Sequence, residues 1–302
     1  VTRLADLAEL VRAPAALSVP GDVLSGAAAA GALGRRTPAL AGASVLLYWA
    51  GMAANDWADR RLDAVERPER PIPSGRVRPS VALGVASGLT AAGLAVATAA
   101  GGRRAAAVAL PLAATIWGYD LRAKNTAAGP AVMAACRGLD VLLGASGGRV
   151  VRALPAALTV AAHTWTVTAL SRREVTGADR RLPGLTLAGT ALVALATPAR
   201  PTPPAARPGS PARSGSGRTA GLGHLVPAVL AAGYAARYGR AQVRVLADPS
   251  PARVRAAVGA GITGLPALQG ALTARAGARL LGLAVAGAAP LGRRLARLIS
   301  PT

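Results

Sequence analysis

Nine apolar runs follow one another along the chain, at about 13–34, 38–54, 81–101, 105–119, 130–148, 153–170, 184–199, 222–236 and 256–274, with a shorter run at 280–292. Charged residues or Gly/Pro breaks bound each of them. A helix rises about 1.5 Å per residue and needs about 20 residues to cross the hydrocarbon core of a bilayer. Runs 105–119 and 222–236 fall short of that length, so they must borrow flanking residues or sit inside a bundle. The pattern predicts an all-α fold: a polytopic membrane helical bundle of about nine transmembrane helices, forming a single domain over residues 1–302.

Composition agrees and excludes other classes. Of the 302 residues 52% are hydrophobic and 16% charged, yet the formal net charge is +22. Mean hydropathy is +0.38. Intrinsic disorder is incompatible with so much apolar residue, and one cysteine, Cys136, cannot staple a secreted fold. A soluble nucleic-acid binder would gather its basic residues on one face, whereas here they punctuate apolar stretches, so no nucleic-acid partner is expected. Phenylalanine is absent, only Asn55 and Asn125 are asparagines, and Lys124 is the single lysine among 35 basic residues. Such usage fits a GC-rich coding sequence, which makes the surviving lysine and asparagines candidates for chemistry that arginine cannot supply.

The basic residues also orient the bundle. The N-terminus and the loops after spans two, four, six and eight carry 19 Lys or Arg, against 10 in the opposite loops, or 12 with Arg275 and Arg279. The richer face should be cytoplasmic, which puts the N-terminus and the loops with chemistry on the inside of the cell membrane. Asp6, Glu9 and Arg12 interrupt any charge-free core near the start, so no cleaved signal peptide is expected there. Residues 200–221, rich in Pro, Gly, Ser and Arg, read as a flexible linker on the outer face.

The loop after span two runs NDWADRRLDAVERPERPIPSGRV, from Asn55 to Val77. Asn55, Asp59 and Asp63 stand at i, i+4 and i+8 and share one face of a helix leaving the membrane. Like charges at that spacing repel, but as oxygen ligands they suit Mg²⁺, which uses one or two carboxylates and completes its shell with water and phosphate oxygens. Asp56 points away from the stripe and is the weaker candidate. Downstream, Arg67 and Arg70 sit among Pro68, Pro71 and Pro73, stiff loop residues around forked donors suited to phosphate. Metal ligands followed by phosphate binders describe a diphosphate site. The alternative is a solvated loop whose Asp and Arg pair with each other.

This run resembles the first aspartate-rich motif of the UbiA superfamily of intramembrane prenyltransferases, NDxxDxxxD followed by RPxRPxPSG. It stands here as Asn55-Asp56-x-x-Asp59-x-x-x-Asp63 and then Arg67-Pro68-Glu69-Arg70-Pro71-Ile72-Pro73-Ser74-Gly75. The segment from Tyr119 to Gly129, YDLRAKNTAAG, is similar to the family's Y-x4-K-x4-G segment, whose Tyr and Lys face the diphosphate; the resemblance carries those roles to Tyr119 and Lys124. Arg12-Ala13-Pro14 is similar to the family's Arg-Pro entry to its first helix. The second family motif, D-x-x-x-D after the sixth helix, is eroded: residues 171–181 read SRREVTGADRR, with only Glu174 and Asp179 as acids among four arginines.

The resemblance implies helices around a central cavity and an integral-membrane prenyltransferase that moves an isoprenyl or polyprenyl group from its diphosphate to an unidentified acceptor, with Mg²⁺ as cofactor. Metal ligands would come from Asn55, Asp59 and Asp63, with Glu174 and Asp179 from the second loop; Asn55, Arg67, Arg70, Tyr119, Lys124 and Arg137 would bind diphosphate. The lipid bilayer would hold the prenyl tail. Two other readings remain: a related protein with altered transfer chemistry on a non-aromatic acceptor, and a non-catalytic membrane protein that binds prenyl diphosphate. Inside the spans, Arg137 and Asp140 at i, i+3 can pair with each other, Asp22 is ambiguous, and His163 reads as a hydrogen-bonded interior residue or an acceptor-activating one.

Overall fold

The computed structural model describes residues 3–13, 18–197 and 225–288, which are helical with short connections and contain no strand. The expected linker at 200–221 and the last four residues of the 280–292 run lie outside the described residues. In chain order the helices are α1 (Leu4–Leu10), α2 (Pro20–Ala30), α3 (Thr37–Glu66), α4 (Pro79–Gly118), a π-helical turn (Tyr119–Ala123), α5 (Gly129–Ala145), α6 (Val150–Ser171), α7 (Arg181–Ala196), α8 (Leu225–Ala247), α9 (Pro251–Arg275) and α10 (Arg279–Ala288).

Three of the predicted runs take a more particular form. Among the described residues of the run at 13–34 the α-helix is Pro20–Ala30, with proline at its first turn and left-handed Gly31 ending it. The runs at 81–101 and 105–119 are joined through Gly102, whose φ of 64° and ψ of −156° are open to glycine but strained for other residues. There the chain folds back on itself. Trp117 Nε1 donates to Thr90 Oγ1 at 3.0 Å, although 27 residues apart on a straight helix would be about 40 Å. α4 is thus an antiparallel pair, and its two halves flank α3. By length and composition three segments suffice to cross a membrane, Thr37–Glu66, Pro79–Ala123 and Val150–Ser171, among the described residues.

Small residues set the helix spacing. A Cβ on Gly26 of α2 would stand 1.8 Å from the Val141 carbonyl oxygen of α5, and one on Gly144 of α5 would stand 2.0 Å from the Val23 carbonyl oxygen. The α2–α5 crossing is therefore a backbone-to-backbone contact that only glycine permits, a device typical of helices in lipid. On either side lie two apolar cores. Leu40, Leu47, Ala97, Leu112 and Leu143 fill one among α3, α4 and α5. Val160, Tyr234, Tyr238, Val258 and Leu268 belong to the other, among α5, α6, α8 and α9.

This order brings the N-terminal segment, the 67–77 loop, the π-turn, the 171–180 loop and the 248–250 turn to one end of the bundle. Contacts link them in series: Arg12 to Asp56, Lys124 to Asp59, Arg172 to the Thr126 carbonyl, Arg255 to the Glu174 carbonyl at 2.9 Å, and Ala178 N to the Pro249 carbonyl at 3.0 Å. These are the segments that the sequence assigned to one face.

Candidate active site

The site is built on the last three turns of α3. Lys124 Nζ lies 2.6 Å from Asp59 Oδ1 and donates to Asn55 Oδ1 at 3.0 Å. Arg70 Nη1 lies 2.7 Å from Asp63 Oδ2 and 3.4 Å from Asp56 Oδ1, and Arg12 Nη2 lies 2.7 Å from that same Asp56 oxygen. The sequence-level alternative, Asp and Arg pairing within the loop, is thus realised for Asp63 and Arg70. The acids are held deep, with Asp56 4% and Asp63 3% exposed. Like charges on neighbouring turns are tolerated because each oxygen faces a cation.

Asp56, the weaker metal candidate, is engaged by two arginines. At about 100° per residue, it is about 100° from Asn55, but a seven-residue step brings it back to within about 20° of Asp63. Both therefore reach Arg70. The Arg70 side chain turns back toward α3 because the loop is pinned behind it. Ile72 and Val77 are buried against Leu10, Ala53, Ala54, Ala82 and Ala86. Ser74 Oγ donates to the Arg70 carbonyl at 2.7 Å, and Gly75 closes the turn with φ of 75°.

α1 straps this loop from outside. Arg76 bonds Glu9 Oε2 at 2.6 Å and Asp6 Oδ1 at 2.9 Å. Those hydrogen bonds, Glu9 first, raise the guanidinium's affinity for its proton. The Arg3 backbone N–H, and then Arg76, hold the Asp6 carboxyl below the ordinary aspartate range. Arg12, beyond the end of α1, has a φ of 46°, uncommon for a side-chain-bearing residue, and this turn precedes the arm that reaches Asp56.

Two residues that sequence reading missed belong here. Arg12 was noticed only as an entry to the first helix. Asp120, in the π-turn, is 7% exposed, and one of its carboxylate oxygens would sit 3.3 Å from a Cβ on Gly51 of α3. Its signal was available: an acid directly after Tyr119, at the end of an apolar run, in a chain with 13 acids. Tyr119 is half-buried on the same turn, whereas Arg67, at the C-cap of α3, is exposed and makes no side-chain hydrogen bond or ion pair with any described residue. Asn125 is exposed. Gly129 has a physical reason to be glycine: a Cβ would meet the Lys124 carbonyl at 2.9 Å and the Ala123 carbonyl at 3.0 Å, with Arg172 Nη1 at 3.4 Å.

The second loop is built differently. Asp179 Oδ1 accepts from Leu182 N at 3.0 Å and so caps the start of α7. Glu174 is half-buried, and that burial raises its carboxyl above the usual range, opposed by Arg255. Among the described residues no three His, Cys, Asp or Glu side chains gather to hold a metal, within the first motif or between it and Glu174 and Asp179.

Arg137 belongs to another group in the bundle interior. Its Nε lies 2.7 Å from Asp22 Oδ2 of α2 rather than pairing mainly with Asp140, and the ring of Tyr48 lies 5.4 Å from its guanidinium carbon. Gln269 of α9 donates to Asp22 Oδ1 at 2.7 Å and to the Ser18 carbonyl at 2.8 Å. Asp140 instead accepts from Ser44 of α3. His163 Nδ1 is 2.8 Å from the Tyr234 hydroxyl, the hydrogen-bonded interior role, and Cys136 is buried.

The UbiA prenyltransferase family model matches residues 21–197. A digeranylgeranylglyceryl phosphate synthase of Methanothrix thermoacetophila is 44% identical over 80 residues, which cover 26% of this chain and 30% of that one. The bacteriochlorophyll synthase 33 kDa chain of Cereibacter sphaeroides is 46% identical over 54 residues, 18% of each. The matched stretches thus span less than a third of these curated relatives. Two solved structures share the fold. A structure concerned with digeranylgeranylglyceryl phosphate synthase in membranes superposes with a TM-score of 0.66 at 15% identity, over 91% of this chain and 99% of that one. The apo structure of a UbiA homolog from Aeropyrum pernix K1 gives 0.57 at 18% identity, over 82% and 96%.

Proposed function

The chain belongs to the UbiA prenyltransferase family, and we propose that it is an integral membrane prenyltransferase that moves an isoprenyl or polyprenyl group from its diphosphate to an acceptor. The observation that carries this reading is the convergence of hard oxygens on cations at the end of α3. Asn55 and Asp59 meet at one ammonium, and Asp56 and Asp63 at one guanidinium. Oxygens already gathered about a positive charge fit Mg²⁺, which needs only one or two carboxylates beside water and phosphate. Asn55, Asp59 and Asp63 would hold it. Bound there, the ion supplies Lewis-acid neutralisation of the diphosphate.

The chain's own residues do the rest. Lys124 and Arg70 hold the carboxylates in the absence of substrate and, released from them, offer donors to the leaving diphosphate. Arg67, exposed and without a side-chain partner among the described residues, adds a forked donor, and Tyr119 a hydroxyl. Preorganised positive charge stabilises the diphosphate as the allylic C1–O bond lengthens, and the acceptor attacks that carbon. The apolar bundle excludes water from the cation. The basic-rich end faces the cytoplasm under this reading. Relatives named digeranylgeranylglyceryl phosphate synthase carry a geranylgeranyl group in the name of their product, which supports a prenyl donor here.

A second reading, binding of prenyl diphosphate without transfer or transfer by altered chemistry to a non-aromatic acceptor, is favoured by the use of Asp179 as a helix cap. The full chain in proteoliposomes with labelled prenyl diphosphates separates the readings. Diphosphate release that requires Mg²⁺ and stops with a chelator is expected. Saturable binding with no release under any acceptor mixture would favour the carrier.

A further inference from the structure

On the same end of the bundle, but on its outside, α8 and α9 enclose a groove of about 240 Å³ lined by Arg237, Arg240, Arg244 and Arg253 over a floor that includes Ala241 and Ala256. None of these residues belongs to the site on α3. We propose that this groove binds the phosphate of an anionic membrane lipid.

The three α8 arginines stand at i, i+3 and i+7 and fall within about 60° of one another, so they form one stripe. The side chains of Arg237, Arg240 and Arg244 are exposed and make no hydrogen bond or ion pair with any described residue. The acid beside the groove is Asp248, 3.5 Å from Arg253 Nε and also an acceptor from Ser250 N at 3.2 Å. Four guanidinium groups around one acid leave a surplus of positive charge with forked donors, the chemistry that recognises phosphate. Sequence orientation read these arginines as topological charge, yet they share one groove instead of scattering around the two helices.

What distinguishes a lipid from a free phosphate is the rest of the face. One to two turns back along α8, away from the basic half, the stripe continues as Gly233 and Leu230. A Cβ on Gly233 would meet nothing within 4 Å, so the surface there is open and apolar. A phosphate at the arginines would thus have an apolar strip running from it toward the opposite side of the bundle, as a phospholipid requires. Basic pockets between helices at the cytoplasmic side of a membrane are suited to anionic headgroups. An occupied groove would also fasten α8 to α9 beside the 171–180 loop, to which α9 is already tied by Arg255 and the Glu174 carbonyl.

The test uses the full chain, purified in detergent, with retained lipid counted by native mass spectrometry. Phosphatidylglycerol should be retained in preference to phosphatidylcholine. Arg240→Gln plus Arg244→Gln should weaken that retention about ten- to thirtyfold, the loss expected for two surface arginines. Arg240→Lys plus Arg244→Lys should keep most of the preference, and Arg103→Gln plus Arg104→Gln, at the opposite end, should leave it unchanged. Equal retention by wild type and the Arg240/Arg244 glutamine variant would overturn the proposal. So would equal loss in the Arg103/Arg104 variant, equal retention of phosphatidylcholine, or displacement of the lipid by millimolar inorganic phosphate, which would assign the groove to free phosphate.

Discussion

The loop after α3 and the loop after α6 lie at the same end of the bundle, and both mix acids with arginines, yet they are organised on opposite principles. In the first, four oxygen-bearing side chains on consecutive turns of one helix converge on Arg12, Arg70 and Lys124. In the second, Asp179 is bound to the Leu182 amide at the start of α7, and the Glu174 backbone and side chain both face Arg255. Arg172 of the second loop reaches outward to a neighbouring loop, at the Thr126 carbonyl. The difference teaches that acid count alone does not make a metal site. Acids must share a face and leave their oxygens convergent, and an acid placed three residues before a helix amide is captured by that helix.

The sharpest way to break the comparison is Lys124→Ala. If Lys124 holds Asn55 and Asp59 ready and then takes up leaving-group charge, its loss should lower the rate of diphosphate release about 10²-fold, the scale of losing one preorganised donor. Lys124→Arg should recover only part, because a larger planar guanidinium does not replace the compact ammonium seated between Asn55 and Asp59. An unchanged rate in Lys124→Ala would remove the lysine from the chemistry.

A smaller effect of another kind is expected in the second loop. Asp179→Ala should lower thermal stability by about 1 kcal/mol, the usual loss of an N-cap, while changing the rate less than about twofold. Asp179→Asn or Asp179→Ser should restore the stability, since either caps as well. A rate loss that the capping variants do not rescue would show that Asp179 serves the reaction, and the contrast between the two loops would fail.

The smallest effect concerns the strap. Asp6 is held below the ordinary aspartate range by the Arg3 amide and Arg76. Its contribution to docking α1 is therefore fully present above the unfolded value, about 3.9, and is lost as pH falls through the lower folded value. Amide exchange in α1 should rise as pH drops through that window, after correction for intrinsic exchange, and Asp6→Asn should remove the pH dependence. An identical acid response in Asp6→Asn would assign it to Glu9 or to the carboxylates of α3.

Much of the first loop was legible because its logic is local. The spacing of Asn55, Asp59 and Asp63 on one helix, the proline-stiffened return through Arg70, and the lone lysine can all be read within short windows. The sharing of Arg70 by Asp56 and Asp63 was less legible, because it depends on a seven-residue return rather than a four-residue one. The interior was illegible for a different reason. Arg137 finds Asp22, and Asp22 finds Gln269, across separations of more than a hundred residues, and the i, i+3 spacing of Arg137 and Asp140 suggested a local pair instead. The break at Gly102-Arg103-Arg104 was legible, since the runs 81–101 and 105–119 on its two sides are the two halves of α4, whereas among the described residues of the 13–34 run the α-helix is confined to Pro20–Ala30.

The central claim is that the carboxylates at the end of α3 handle the diphosphate. The direct test is Mg²⁺-dependent release of diphosphate from a labelled prenyl diphosphate by Asp59→Ala plus Asp63→Ala in proteoliposomes, beside wild type and beside Glu174→Ala plus Asp179→Asn, with folding checked by thermal unfolding. The account predicts that the first pair abolishes release, with a loss of about 10³-fold or more, while the second pair retains most of it. Release that persists in the folded Asp59/Asp63 variant, or that is lost equally in both, would contradict it.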